Sequence, residues 1–243
     1  MIAVRRFASL DSTNAEARRL AERGERGPVW IVADAQTAGR GRRGKAWVSR
    51  PGNLFATLLI AAPAPLEVCA QLSFAAALAV ADVVASFAPN AALGLKWPND
   101  VLLDGRKVAG ILLESGPAPG PDSPAWLALG IGINLADHPE GTDFPAISLA
   151  VLGGRVPAPD AALARLGKHW DTWYEAWRAQ GFAALREAWL ARAAGLGRKI
   201  GTRLADRDME GVFETLDEDG ALVLRHANGA RSRIMAGEVF FPA

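Results

Sequence analysis

Residues 39–47 read GRGRRGKAW, which puts four cations and three glycines into nine positions with no acidic residue among them. Glycine admits positive φ and close backbone approach to a ligand, while Arg40, Arg42, Arg43 and Lys45 repel one another until a phosphate or carboxylate neutralises them. The segment is therefore predicted to be a loop that grips anions and moves when empty. Gly39, Gly41 and Gly44 also satisfy the dinucleotide pattern G-x-G-x-x-G, which needs a helix opening here and an acidic residue about 20 positions further on. Neither follows. Trp47 to Arg50 and the turn pair Pro51-Gly52 lead into Asn53 to Ile60, NLFATLLI, an apolar run of strand length and composition. No GK[ST] stands at the spacing of a Walker phosphate loop. Upstream, Val29 to Ala33 reads as a strand that delivers Asp34, Ala35, Gln36 and Thr37 to the loop, with Gln36 at the changeover, where function usually sits. Strand, basic loop, strand is the unit around which the rest is read. The bland alternative is a solvated basic loop.

With 243 residues and 50% hydrophobic content, the chain can bury one large core and a small satellite. Its 27 basic and 26 acidic residues leave a formal charge of +1, so no general attraction to nucleic acid is expected and the basic loop is a local feature. Cys69 is the single cysteine, which forbids an internal disulfide and suits a reducing compartment, so the cytoplasm is expected. The N-terminal MIAVRRFASLDSTN turns polar too early for a signal peptide. Glu67 to Ala88 is alanine-rich and carries Gln71, Ser73, Asp82 and Ser86. It is predicted to be a buried amphipathic helix with Leu72, Ala76, Ala79, Val80 and Val83 at helical spacing, not a membrane span. Cys69, near its start with no basic neighbour in sequence, reads as a small core residue and not as a nucleophile.

Three further clusters carry polar groups. Asp11-Ser12-Thr13-Asn14 precedes a helical run, so these residues serve either as its cap or as a polar ligand site beside free backbone N–H groups. Leu93 to Glu114 reads as a hairpin whose two strands meet at Asp104-Gly105. Lys96, Trp97, Asn99 and Asp100 gather at the start of its first strand around the ladder-breaking Pro98, and Lys107 opens the second. Lys107 taken alone would pass for a snorkelling surface lysine, while Gly110 predicts close approach by another group. Leu127 to Leu135 is a strand whose Gly130 and Gly132 leave one face bare, to be filled either by a flat ligand ring or by a packed helix, with Asn134 at its end.

Beyond Asp137 a Pro/Gly-rich approach passes through His138-Pro139, and helices follow. Trp170, Trp173 and Trp177 fall at helical spacing beside Tyr174 and, with Trp189, are predicted to pack against the sheet. Gly195-Leu196-Gly197 marks a boundary between residues 1–195 and 196–243. After it, Lys199 to Leu204, Met209 to Leu216 and Ala221 to His226 alternate as short strands, which predicts a small barrel or sheet. His138, His169 and His226 are scattered and offer no metal-site spacing, so no metal ligand is assigned.

In order and in rough spacing, DSTN, GRGRRGKAW, KWPNDV, KVAGILLE and GIGIN resemble the motifs of biotin–protein ligases, from about Phe7 to Leu135. The resemblance implies an α+β fold: a mixed β-sheet with packed helices, class II synthetase-like, plus a small C-terminal SH3-like β-barrel. It implies a two-step reaction in which ATP and Mg2+ convert biotin to biotinyl-5′-AMP, and the biotinyl group then passes to a lysine of a biotin carboxyl carrier protein or carboxylase carrier domain. By matching position, Ser12, Thr13, Asn14 and Gln36 resemble the residues that line the biotin head-group pocket, floored by Gly130 and Gly132. Gly39, Arg40, Gly41 and Arg42 complete the biotin side, with Arg40 and Arg42 folding over the acyl-adenylate. Lys107 resembles the lysine that meets the biotin carboxylate and phosphate, and together with Arg40 and Arg42 it is the catalytic candidate. Arg42, Arg43, Lys45, Trp47, Asn99, Asp100 and Asn134 would face ATP. Lys45 departs from the arginine of the bacterial bifunctional relatives and loses a bidentate donor. No winged-helix DNA-binding domain is expected, hence a monofunctional ligase that binds neither DNA nor membrane; pairing into a homodimer through strand edges is left open. The alternatives are a lipoate or octanoate ligase of the same superfamily and a noncatalytic nucleotide-binding module, which would need neither Lys107 nor the Gly130-Gly132 pocket.

Overall fold

The computed structural model describes residues 2–117, 125–153 and 156–242. Strand β1 (Ala3–Leu10) leads into helix α1 (Thr13–Glu22), and β2 (Val29–Gln36) returns parallel to β1. The basic segment follows as a single tight turn at Arg42–Gly44 before β3 (Leu54–Ala61), so it opens no helix. Helices α2 (Leu66–Cys69) and α3 (Leu72–Phe87) come next, then β4 (Leu93–Lys96), β5 (Asp100–Leu103), β6 (Arg106–Gly116) and β7 (Trp126–Ile133). The strands form one sheet in the order β1-β2-β3-β7-β6-β5-β4, parallel at β1-β2 and antiparallel elsewhere, which is the mixed sheet expected.

The single hairpin predicted over 93–114 is instead a three-stranded meander. Pro98 has no N–H to donate, and the chain reverses at Trp97-Pro98-Asn99, splitting the first strand into β4 and β5. The second turn forms as predicted: Asp104 and Gly105 have φ of 49° and 72°, the left-handed pair that matches hairpin twist.

Period-two alternation divides the sheet into two faces with different tasks. On one face Leu54, Ala56 and Leu58 of β3, and Leu127, Leu129, Ile131 and Ile133 of β7, join α3 in the main core. The opposite face presents Phe55 and Thr57, Ala128, Gly130 and Gly132, and Gly110 and Leu112, with α1 packed over Leu59 and Ala128. This second face is where a cavity can open.

Leu66–Phe87 is long and apolar enough to cross a membrane by length and composition, with mean hydropathy 1.9, yet 67% of its apolar window is buried inside the protein. Helix α3 is not the one-sided amphipathic helix predicted. Leu72, Phe74 to Ala81, Val83 and Val84 are buried, because the sheet covers one side and α4 (Pro159–Gln180) the other. Each fully buried Leu or Val contributes roughly 1.5–3 kcal/mol. Cys69 is buried as expected and its thiol lies 3.2 Å from the Ala64 carbonyl, with burial pushing its pKa up.

The tryptophans are core residues, but α4 lies chiefly on α3 and meets the sheet at β3. Tyr174 stacks between Trp170 and Trp177 at centroid distances of 5.4 and 5.9 Å. Helix α5 (Phe182–Leu190) places Trp189 edge-on to Phe74 at 5.7 Å and beside Phe213 at 6.4 Å. Beyond Gly195-Leu196-Gly197 come β8 (Lys199–Arg203), β9 (Asp208–Leu216), β10 (Leu222–Arg225), β11 (Arg231–Ile234) and β12 (Glu238–Phe240). They form a five-stranded antiparallel sheet in the order β11-β10-β9-β8-β12, consistent with the SH3-like unit implied by the resemblance. The two sheets share one hydrophobic core: the Trp97 indole N–H donates to the Gly220 carbonyl at 3.1 Å, and Phe74 packs against Gly220.

Candidate active site

A cavity of about 420 Å³ opens on the glycine-bearing face of the sheet, and all the sequence-predicted site residues except Gly39 line it. Gly39 lies behind the wall. A Cβ there would stand 2.4 Å from the Trp47 carbonyl oxygen and 2.5 Å from Ser49 Oγ, so glycine is required for packing within the loop. The expected site is thus assembled from β6 and β7, the N-terminus of α1, the end of β2 and the basic loop.

At one end Ser12 has the cap position of α1, but its side chain makes no capping bond. The cap is supplied from β2: Gln36 Oε1 accepts the Thr13 backbone N–H at 2.8 Å and the Thr13 hydroxyl at 3.2 Å. Asn14 Oδ1 lies 2.6 Å from the Thr57 hydroxyl, and its Nδ2 donates to Glu114 Oε2 at 2.7 Å and to the Leu112 carbonyl at 3.2 Å. Ser12, Thr13 and Asn14 are all buried. Of the two readings of DSTN, the helix-cap one fails at the side-chain level, and the residues form a buried polar crown beside the cavity.

The two bare faces of β7 and β6 are filled by the chain itself. A Cβ at Gly130 would meet Asn14 Oδ1 at 2.2 Å, one at Gly132 would meet the Trp47 indole at 2.5 Å, and one at Gly110 would meet the same ring at 3.0 Å. Neither expected occupant accounts for the whole face: the ring lying on Gly132 and Gly110 is the chain's own Trp47, and Asn14 from the start of α1 sits against Gly130. The Trp47 Nε1 is buried and has no hydrogen-bond partner among the described residues.

The cationic end centres on Asp100. Lys107 Nζ pairs with Asp100 Oδ1 at 2.6 Å, and Lys96 Nζ with Oδ2 at 3.3 Å. Two ammonium groups share one carboxylate, leaving net positive charge in the cavity wall. Lys96 is 2% exposed, and burial holds its pKa below the ordinary lysine value. Phe144 covers it at 4.6 Å, and Trp47 lies 5.3 Å from Lys107 Nζ. Lys107 is therefore a wall residue and not a snorkelling surface lysine.

Two of the loop's four cations, expected to await an external anion, find acids elsewhere in the chain. Arg40 pairs with Glu114 at 3.0 Å, and Lys45 with Glu238 at 2.9 Å and Asp143 at 3.1 Å. The Glu238 hydrogen bond raises the Lys45 pKa, whereas burial lowers that of Arg42. Arg43 donates to the Arg203 carbonyl at 3.4 Å. Asn99 is fixed by its Nδ2 bond to the Ile111 carbonyl at 2.7 Å, and Asn134 Nδ2 donates to the Ile147 carbonyl at 3.2 Å while its buried Oδ1 has no partner among the described residues.

Sequence reasoning missed Lys96, Phe55, Phe144, Asp143 and Glu238 in the wall, and Ser49, Thr57 and Glu114 behind it. Lys96 and Glu114 carried a signal, their places inside KWPND and at the end of KVAGILLE. Among the described residues no group of three or more His, Cys, Asp or Glu could hold a metal ion.

Residues 7–133 match the model of the biotin/lipoate A/B protein ligase family, and residues 195–241 match the biotin protein ligase C-terminal domain. The chain is 45% identical to a biotin–[acetyl-CoA-carboxylase] ligase of Paracoccus denitrificans, over 97% of this chain and 99% of that one. It is 34% identical to the enzyme of the same name from Mycobacterium tuberculosis, over 96% and 86%. The solved biotin protein ligase from Aquifex aeolicus in complex with biotin and ATP superposes with a TM-score of 0.82 at 27% identity, over 98% of this chain and 97% of that one. With both models matched in order and the expected motifs gathered around one cavity, this chain belongs to the biotin/lipoate A/B protein ligase family.

Proposed function

We propose that the chain is an ATP-dependent biotin–protein ligase. Biotin's carboxylate attacks the α-phosphate of ATP, which enters as its magnesium complex, and pyrophosphate leaves to give biotinyl-5′-AMP. The amine of a carrier lysine then attacks the acyl carbon of this mixed anhydride; AMP departs, the amide forms and the amine's proton is lost to water. The carrier is a biotin carboxyl carrier protein or carboxylase carrier domain.

The observation that carries this reading is the joining, in one cavity, of a buried polar crown at Ser12–Asn14 with the Lys96-Asp100-Lys107 cluster under the basic loop. The first step brings two anions into contact. At an effective dielectric of about 20, two unit charges about 4 Å apart repel by roughly 4 kcal/mol, which nearby ammonium and guanidinium groups offset while stabilising the charge that develops. Asp100 keeps Lys107 and Lys96 close despite their mutual repulsion. Arg40 must leave Glu114 to reach a bound ligand, so an internal ion pair is exchanged for one with substrate. No enzyme nucleophile is needed, in keeping with Cys69 being buried with its thiol pKa raised. A loop seated over the adenylate would keep water from it.

The test is to mix the protein with ATP, magnesium and either biotin or lipoate, following pyrophosphate release and the acyl-adenylate by mass spectrometry. Biotin-dependent adenylate is expected, reduced at least about 100-fold in Lys107→Ala through loss of charge stabilisation. Turnover with lipoate alone would assign the sister activity, and silence with both would leave a binding module.

A further inference from the structure

We propose that Ser49 is a positioning residue that couples the polar crown of the cavity to Trp47 and hence to the nucleotide side. The proposal rests on the ligase reading above. No sequence motif singles out Ser49, but the hydrogen bonds do. Gln36 Oε1 is saturated by the Thr13 backbone N–H at 2.8 Å and the Thr13 hydroxyl at 3.2 Å. That fixes the amide so that Nε2 donates to Ser49 Oγ at 2.8 Å, and Ser49 in turn donates its only proton to the Trp47 carbonyl at 2.9 Å. One continuous relay therefore runs from the N-terminus of α1 to the backbone of Trp47.

The junction is tightly packed. The place of a Cβ on Gly39 falls within 2.5 Å of Ser49 Oγ and 3.1 Å of Gln36 Nε2, and the Trp47 N–H closes the turn onto the Gly39 carbonyl at 2.9 Å. Gln36 Nε2 has Ser49 Oγ as its acceptor, so rotation of the Gln36 amide toward the cavity is passed on to Ser49 and through it to Trp47. The far end of the relay is chemically consequential: the Trp47 indole lies on Gly132 and Gly110 and faces Lys107 Nζ at 5.3 Å. A ligand that draws Thr13 or Gln36 toward itself changes the donor available to Ser49, and the seat of Trp47 changes with it. Filling the polar end thus shifts the affinity of the other end, and by linkage the reverse holds equally.

The experiment measures the Kd of biotin by titration calorimetry with and without a non-hydrolysable ATP analogue, in the wild type, Ser49→Ala and Ser49→Thr, with Tm recorded for each. Wild type is expected to bind biotin roughly fivefold or more tightly when the analogue is present. In Ser49→Ala the ratio should fall toward one and the KM for ATP should rise about five- to tenfold, as expected for loss of one relay bond, with little change in kcat. Ser49→Thr, which keeps the hydroxyl, should restore the ratio. An unchanged ratio in Ser49→Ala overturns the proposal, as does a wild-type ratio of one, or an equal loss in both variants accompanied by a lowered Tm. Absence of any biotin binding by the wild type would instead defeat the ligase reading itself.

Discussion

An alanine at position 130 would place its Cβ 2.2 Å from Asn14 Oδ1 and force that side chain off its contacts with Thr57 and Glu114. On the proposed ligase function, Gly130→Ala should therefore raise the KM for biotin at least about tenfold while changing kcat much less, because the groups it disturbs are assigned there to binding and not to reaction. Steady-state kinetics at varied biotin check this, and an unchanged KM would remove Gly130 and Asn14 from the binding wall. At this scale the sequence was informative about position and poor about partners. It placed Lys107, Asp100 and the loop's cations at the site, but not what neutralises them. Arg40 meets an acid 74 residues away and Lys45 one 193 residues away. No local pattern encodes a pairing of that separation. For the same reason Lys96 read as a residue at a strand start, when it is the most deeply buried cation of the cluster.

At the scale of elements, β2, β3 and β7 lie close to where apolar runs and turn residues put them, since a strand of five to eight residues is specified by its own alternation and its flanking breakers. Two elements came out differently. The 93–114 hairpin became a meander because Pro98 interrupts pairing within what reads as one apolar run. Helix α3, expected to be buried on one face, is buried almost all round because α4 covers the side turned away from the sheet. Coverage by a helix about 90 residues later is a tertiary fact that α3's own sequence shows only as a shortage of charge. It makes α3 sensitive to cavities. Leu78 is fully buried at its centre, and Leu78→Ala should destabilise the protein by about 2–5 kcal/mol in denaturant unfolding with m unchanged. A loss below about 1 kcal/mol would show that the site relaxes around the cavity.

For the whole molecule, the composition-based expectation of a large core with a small satellite is half met. Residues after Gly197 form their own sheet, yet Ile200, Phe213, Leu216, Leu222 and Val239 belong to the same buried cluster as α3 and β7, and Trp97 is hydrogen-bonded to Gly220. The C-terminal sheet also delivers Glu238 to Lys45 at the cavity mouth. Such continuity predicts one cooperative thermal transition. Scanning calorimetry should give a single peak whose van't Hoff and calorimetric enthalpies agree, and two resolved peaks would show independent units. By itself the sequence determined the family, the α+β class, the strand–basic loop–strand unit and the motif residues that line the cavity, because turn chemistry, hydrophobic period and motif spacing act over short stretches of chain. The tertiary structure alone decided which acids hold the loop, that Trp47 lies on the bare strand, that Ser49 links the crown to the loop, and that two sheets share one core. Those outcomes depend on side chains far apart in sequence competing for the same space and charge, and only the folded chain settles that competition.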